Sequence, residues 1–297
     1  MKIRFFLTAL IALLLFSCSE YHPETETPST PQPTKVNIHL DFTTTETSWK
    51  TRATTAAGSS ATRISVAIFD ESEKLVKTLA QRKDDADFGT LHDLTLLPGK
   101  YKVVVVAHYA DNTESQASSI SSPSSATIND NTLRDVYSTV QEITVVTNVF
   151  SAQNINIEVP IQQTKLKFLL LDEIPEDVAT IKITFNSEAT AHELLTFNPS
   201  TGCISSASSY TREHSIKTNR KAGQSFSVYA FLNEYPSTVD ALIQALNSTG
   251  DILFQRTISG QEYKKGTTLQ VSAHLFTHVT TTSLSFGTWE IEEVAIE

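Results

Sequence analysis

The chain has 297 residues, enough for one or two folded domains, with 40% hydrophobic and 19% charged residues. Its formal charge is −10, and that acidic balance argues against a surface for nucleic acid or anionic membrane, since both need a basic stripe. Nine glycines and two cysteines leave neither a glycine-rich phosphate loop nor a paired disulfide framework.

The first eighteen residues read as an export signal. Lys2 and Arg4 give a positive start, and Phe5 to Phe16 is an almost wholly apolar run, too short to span a bilayer stably. It ends Leu15-Phe16-Ser17-Cys18, a leucine three before a cysteine with a small residue just before it, and this resembles a bacterial lipobox. There the cysteine is acylated after cleavage and becomes the new N-terminus, so Cys18 is the candidate lipidation site. The plainer alternative is a secretory signal with a chance cysteine. Residues 19–35 form a tether in which Pro23, Pro28, Pro31 and Pro33 alternate with Ser, Thr and Glu. Such a composition buries no core and favours extended conformations.

A first body is expected over 36–160. The run Val36-Asn37-Ile38-His39-Leu40-Asp41-Phe42 alternates apolar and polar, which predicts a half-buried strand with Val36, Ile38, Leu40 and Phe42 on one face. The polar stretch from Thr43 to Thr62 reads as a loop, and Arg52-Ala53 within it is a candidate cleavage site for a trypsin-like protease. Ile64 to Phe69 is a predicted strand, Asp70 to Lys74 a turn, and Leu75 to Leu79 the return. Leu91, Leu94, Leu96 and Leu97 lead into a turn at Pro98-Gly99. Tyr101 and four successive valines, Val103 to Val106, then predict a strand buried on both faces. Residues 111–131 read as a long surface loop, Leu133 to Tyr137 as one helical turn, and Gln141 to Val146 and Ile155 to Val159 as closing strands.

Pro160 marks the expected start of a second body over 161–297. Strands are predicted at Lys165 to Leu171, Ile181 to Phe185, Leu194 to Phe197 and Phe226 to Leu232. A helix is expected next, with Ser237 as N-cap, Asp240 in its first turn, Val239, Leu242, Ile243 and Leu246 on one face, and Gly250 beyond its end. Ile252 to Ile258 and Thr268 to Phe276 close the body. The tail carries Leu284, Phe286, Trp289, Ile291, Val294 and Ile296 at roughly strand spacing. About seven short strands per half predict an all-β chain of two tandem β-sandwiches with one or two short helices.

Chemistry is sparse. His274 and His278, four residues apart in a strand, would stand roughly 13 Å apart on one face, too far to share a metal ion. Asp84, Asp85 and Asp87 lack the glycine and terminal glutamate of a calcium loop. Cys203 has no base near it in sequence, and no Gly-x-Ser-x-Gly elbow occurs. The expectation is no enzyme, no metal, no cofactor and no small-molecule substrate.

The order of motifs resembles a known family. A lipobox, a Pro-rich tether, a short strand and Thr51-Arg52-Ala53 precede Leu96-Leu97-Pro98-Gly99-Lys100-Tyr101 with its valine strand. The second half adds Lys165-Leu166-Lys167-Phe168, Ile174-Pro175-Glu176-Asp177-Val178 and Lys264-Lys265-Gly266-Thr267-Thr268, leading to His274-Leu275-Phe276. Over almost all of the mature chain this is similar to the fimbrillin-like lipoproteins of Bacteroidales, the subunits of type V pili. The Pro-Gly-Lys-Tyr strand is closest to the FimB-type anchor branch. The resemblance implies two transthyretin-like Greek-key sandwiches, export to the outer membrane surface, and partnership with other fimbrial subunits by β-strand addition. It further implies that Val36 to Phe42 is the displaceable strand, that an Arg-specific protease cuts between Arg52 and Ala53 in polymerising subunits, and that Leu284 to Ile296 is a candidate donor strand. In anchor subunits the lipidated strand is retained.

Two other readings stand beside the anchor. Arg52-Ala53 favours a polymerising stalk or tip subunit. A surface glycan-binding lipoprotein would instead display an exposed aromatic platform, for which Trp49 is the residue to watch.

Overall fold

The computed structural model describes residues 31–45, 51–55, 60–110, 118–129, 135–147, 150–186, 189–190, 194–206, 208–276 and 290–295. Residues Pro33–Glu297 form one compact unit, and the described part consists of strands and turns with no helix.

The first half holds β1 (Thr34–Thr45), β2 (Thr51–Thr55), β3 (Arg63–Asp70), β4 (Leu75–Arg82), β5 (Thr90–Leu96), β6 (Gly99–His108), β7 (Ser118–Ser122), β8 (Ser125–Asn129), β9 (Tyr137–Val145) and β10 (Gln153–Pro160). One antiparallel sheet runs in the order β4-β3-β6-β9. The facing sheet is built on β1. Their inner faces meet in a core that includes Val36, Ile38, Leu40 and Phe42 from β1 and Ile64, Val66, Val103 and Val105 from the other sheet.

The valine run is explained by a third layer. Val103 and Val105 face the sandwich core, while Val104 packs with Ala67 and Phe69 on the opposite face. Val106 packs with Ala126 and Ile128 of β8. A strand covered on both sides needs apolar residues at every position rather than at alternate ones. The cover comes from residues expected to be a surface loop: β7 and β8 are a hairpin within 111–131. Its serines hide a short alternation in which Ala126 and Ile128 are buried.

The second half holds β11 (Thr164–Leu170), β12 (Thr180–Phe185), β13 (Ala189–Thr190), β14 (Leu194–Phe197), β15 (Tyr210–Ser215), β16 (Gln224–Leu232), β17 (Ser237–Thr238), β18 (Ala241–Leu246), β19 (Ile252–Ile258), β20 (Glu262–Tyr263), β21 (Thr267–Ala273) and β22 (Glu290–Ala295). Sheets of order β13-β16-β11-β21-β22 and β15-β12-β18-β19 enclose a second core, among whose residues are Phe168, Val228, Val271, Ile183 and Ile243.

The helix expected over 237–246 is not formed. Ser237 opens β17 rather than capping a helix, and Ala241–Leu246 is β18, paired with β12 and β19. The segment satisfies two periods at once. Val239, Leu242, Ile243 and Leu246 suit a helix, whereas Ala241, Ile243 and Ala245 suit a strand and are the residues fully buried. A ten-residue helix is marginal on its own, so two ready ladder partners decide the outcome. Gly250 lies in the turn to β19, at φ +90°. The helical turn expected at Leu133 to Tyr137 is also absent from its described part, where Tyr137 begins β9.

A polar seam and a shared ladder join the halves. β14 pairs with β8, matching Leu195 to Ile128. Gln162 and Gln163, in the link between β10 and β11, are fully buried. Gln162 Nε2 donates to the carbonyls of Ser138 (2.6 Å) and Pro160 (3.0 Å), and Gln163 Oε1 accepts from the Val136 amide at 2.9 Å. Ser138 Oγ donates to Pro199 O at 2.7 Å. Gly202 closes over Gln162: its φ is +73°, and a Cβ there would lie 2.6 Å from Gln162 Oε1. Gly202→Ala therefore combines backbone strain with a steric clash and should cost about 1–3 kcal/mol. Denaturant unfolding checks this, and an unchanged midpoint would mean that the seam yields easily.

Candidate functional site

The candidate site is β1 and what it holds. The alternation of its sequence sets a flat apolar face, and Val36, Ile38, Leu40 and Phe42 are all buried to within 1% of full enclosure. Burying four such side chains contributes roughly 6–12 kcal/mol at the usual 1.5–3 kcal/mol each. That rivals the whole net stability of an ordinary domain, about 5–15 kcal/mol. Phe42 also meets the Tyr137 ring edge to face, with centroids 5.1 Å apart. Burial raises the Tyr137 phenol above its usual pKa, so it stays neutral in the core.

The ladder is as lopsided as the packing. β10 runs parallel to β1 from Val36↔Gln153 to Thr43↔Pro160. Along the other edge, β5 pairs antiparallel with Thr34 to His39 and β2 with Asp41 to Thr45. The Leu40 amide, between those two partners, donates to Gly89 O at 2.9 Å. Among the described residues, β2, β5 and β10 have no ladder partner other than β1. Without β1, this sheet has no internal pairing, and all three strands expose bare edges beside an apolar slot.

The Thr43–Thr62 stretch is not the uniform loop expected. Thr51–Thr55 forms β2, with Arg52 opposite Thr44 and Ala53 opposite Thr43. Threonine is β-branched and suits a strand even where the pattern is wholly polar. The candidate bond between Arg52 and Ala53 thus lies in a paired strand whose other edge has no ladder partner among the described residues.

Ile291 lies in β22, opposite Val271 on the edge of the second half's larger sheet. Residues 290–295 are therefore paired within their own chain. Cys18, Trp49, Leu284, Phe286, Trp289 and His278 lie outside the described residues. His274 Nδ1 sits 2.6 Å from Asp172 Oδ1, and the Phe276 amide donates to Asp172 Oδ2 at 2.8 Å. Among the described residues, no three His, Cys, Asp or Glu side chains gather as metal ligands would. A shallow hollow beside β3, β4 and β7 is lined by Ser65, Thr78, Ser118 and Ser119 with apolar neighbours. Two of its serine hydroxyls are tied to each other's residue, Ser118 Oγ donating to Ser65 Oγ at 2.7 Å and Ser65 Oγ to Ser118 O at 3.1 Å.

Residues 28–291 match a family of unknown function, DUF6562. The chain belongs to this family. No curated protein matches the sequence. Solved structures of the same fold include a protein provisionally described as an adhesin from Bacteroides thetaiotaomicron, at TM-score 0.54 and 10% identity, covering 91% of this chain and all of the other. Another, provisionally described as a cell adhesion protein from Bacteroides ovatus, matches at TM-score 0.51 and 14% identity over 90% of this chain and 99% of its own. The fimbrial anchor protein Mfa2 from Porphyromonas gingivalis aligns at TM-score 0.48 and 12% identity over 87% and 95%, too loosely to bear an argument.

The importance of β1 is measurable. Phe42→Ala should lower unfolding free energy by about 3–5 kcal/mol. Lys35→Ala, on the exposed side of the same strand, should change it by less than about 0.5 kcal/mol. Equal effects would mean that β1 is a surface strand and not the hub of its sheet.

Proposed function

We propose that this DUF6562 member is a structural cell-surface lipoprotein, an anchor or assembly subunit of a type V fimbrium. In this reading it is not an enzyme. Lipid on Cys18 holds it to the outer membrane, two sandwich domains (36–160 and 161–297) form its body, and other fimbrial subunits are its partners through β-strand addition. The observation that carries the reading is that three strands share β1 as their ladder partner. A strand of that kind is either kept, leaving the body closed, or replaced by an equivalent strand from another chain, because nothing less satisfies both edges and the apolar slot. Further support comes from the lipobox-like N-terminus and from the fold shared with proteins provisionally described as adhesins.

One observation favours the polymerising alternative. The Arg52-Ala53 bond lies beyond the buried part of β1, so a cut there would sever the covalent link to the body without touching Val36 to Phe42. The tail then serves as donor only if residues 290–295 leave β21. Glycan binding by Trp49 has no comparable support.

Mass spectrometry of the protein from its native cells, reading the N-terminus, separates these cases. An acylated Cys18 on the full-length body is the result expected of an anchor. An N-terminus at Ala53 would identify a polymerising subunit, and an unmodified N-terminus elsewhere would overturn both.

A further inference from the structure

Eight large apolar side chains stand open to solvent among the described residues, and five belong to the first half: Leu75, Val76, Leu97, Val146 and Phe150. They are far apart in sequence, yet strand register brings them to one end. Leu75 starts β4 opposite Phe69, and the next residue of β3, Asp70, faces Tyr101. Leu97 leads from β5 toward Gly99, which faces Val145. Val146 and Phe150 lie on the connection to β10, whose first residue, Gln153, faces Val36. Phe150 is 95% exposed, Val146 55% and Leu97 52%. The other three open apolar residues, Leu171, Leu194 and Ile252, belong to the second half.

The chain enters the body at this same end. Thr34 starts β1 opposite Leu96, and its Oγ1 donates to Val146 O at 2.9 Å. Three carboxylates around the rim are met by lysines: Lys35 lies 3.3 Å from Asp93, Lys102 2.6 Å from Glu73 and Lys100 4.0 Å from Glu71. An acidic protein thus presents an end whose charges are largely balanced. The second half joins at the opposite end, where the Ile161 amide donates to Thr43 O at 3.0 Å.

We propose that this end is a membrane-resting face. Phe150, Val146, Leu97, Leu75 and Val76 sit at headgroup depth in the lipid surface that carries the anchor, as apolar side chains do on peripheral membrane proteins. The first half stands on the bilayer and the second points away from it. Delivery to that surface rests on acylation of Cys18. The fifteen residues between Cys18 and Thr34 span at most about 50 Å when extended, so they permit contact without enforcing it, and the apolar end makes contact the preferred state.

The test places an environment-sensitive fluorophore at residue 150 (Phe150→Cys in a Cys203→Ser background) on the full acylated chain. The protein is reconstituted into zwitterionic vesicles of phosphatidylcholine and phosphatidylethanolamine doped with bromolipid. The expected result is a blue shift and loss of emission at residue 150, with neither at a control label on Ile252→Cys. Adding Leu97→Asp and Val146→Asp should abolish the shift while leaving flotation with the vesicles intact. Equal emission at 150 and 252 in a protein that floats would overturn the proposal. So would shielding of residue 150 only when other surface proteins of the native cell are added, which would make this a protein-binding face. If the native protein carries no acyl group, the anchor reading fails by itself. The same probe on the Cys18→Ser chain at high vesicle concentration then decides the apolar end: quenching supports it and its absence overturns it.

Discussion

The first sheet depends on the pairing of β1 with everything around it. A β-strand has two edges, and both of this one are taken, by β10 on one side and by β5 and β2 in succession on the other. None of those strands is laddered to another among the described residues. Hydrogen bonding within the sheet is thus all routed through a dozen residues at the start of the body. The four side chains that β1 buries add a packing contribution of the same order as net folding stability. Such a strand does not fray by degrees, because losing it removes a sheet and opens a core at the same time.

The rest of the fold supports that arrangement by layering. The sheet facing β1 is itself covered from behind by the β7–β8 hairpin, and β14 from the second half extends that cover. At the junction Gln162 Nε2 donates to two carbonyls and Gln163 Oε1 accepts from the Val136 amide, with Gly202 pressed against Gln162. The two cores are separate in sequence, yet the β14–β8 ladder and the buried polar seam join the halves.

How much of this was legible depended on the length of the pattern. The alternation from Val36 to Phe42 and the valine run each admit one reading, and both are strands where expected. The segment over 237–246 is too short for its period to be unique, and pairing with β12 and β19 overrides the helix signal. The β7–β8 hairpin and β2 were missed because serine and threonine mark loops by composition, although threonine in particular favours extended backbone. The apolar face of β1 was visible in the sequence. That strands lying more than fifty and more than a hundred residues downstream hang from it was not, since parallel pairing with β10 leaves no local turn signal. The open apolar end was invisible for a similar reason. Leu75, Leu97 and Val146 look like ordinary strand residues until register brings their strand ends together.

The direction of β10 has a mechanical meaning. It runs parallel to β1, starts beside the point where the chain enters at Thr34, and passes at its far end into the second half. A pull between Thr34 and the second half therefore drags the two strands past each other lengthwise. All eight residue pairs of that ladder resist together, whereas an antiparallel hairpin pulled from its open end would unzip one pair at a time. The strand on which the first sheet hangs is thus loaded in shear, the geometry in which a ladder tolerates the most tension before it slips.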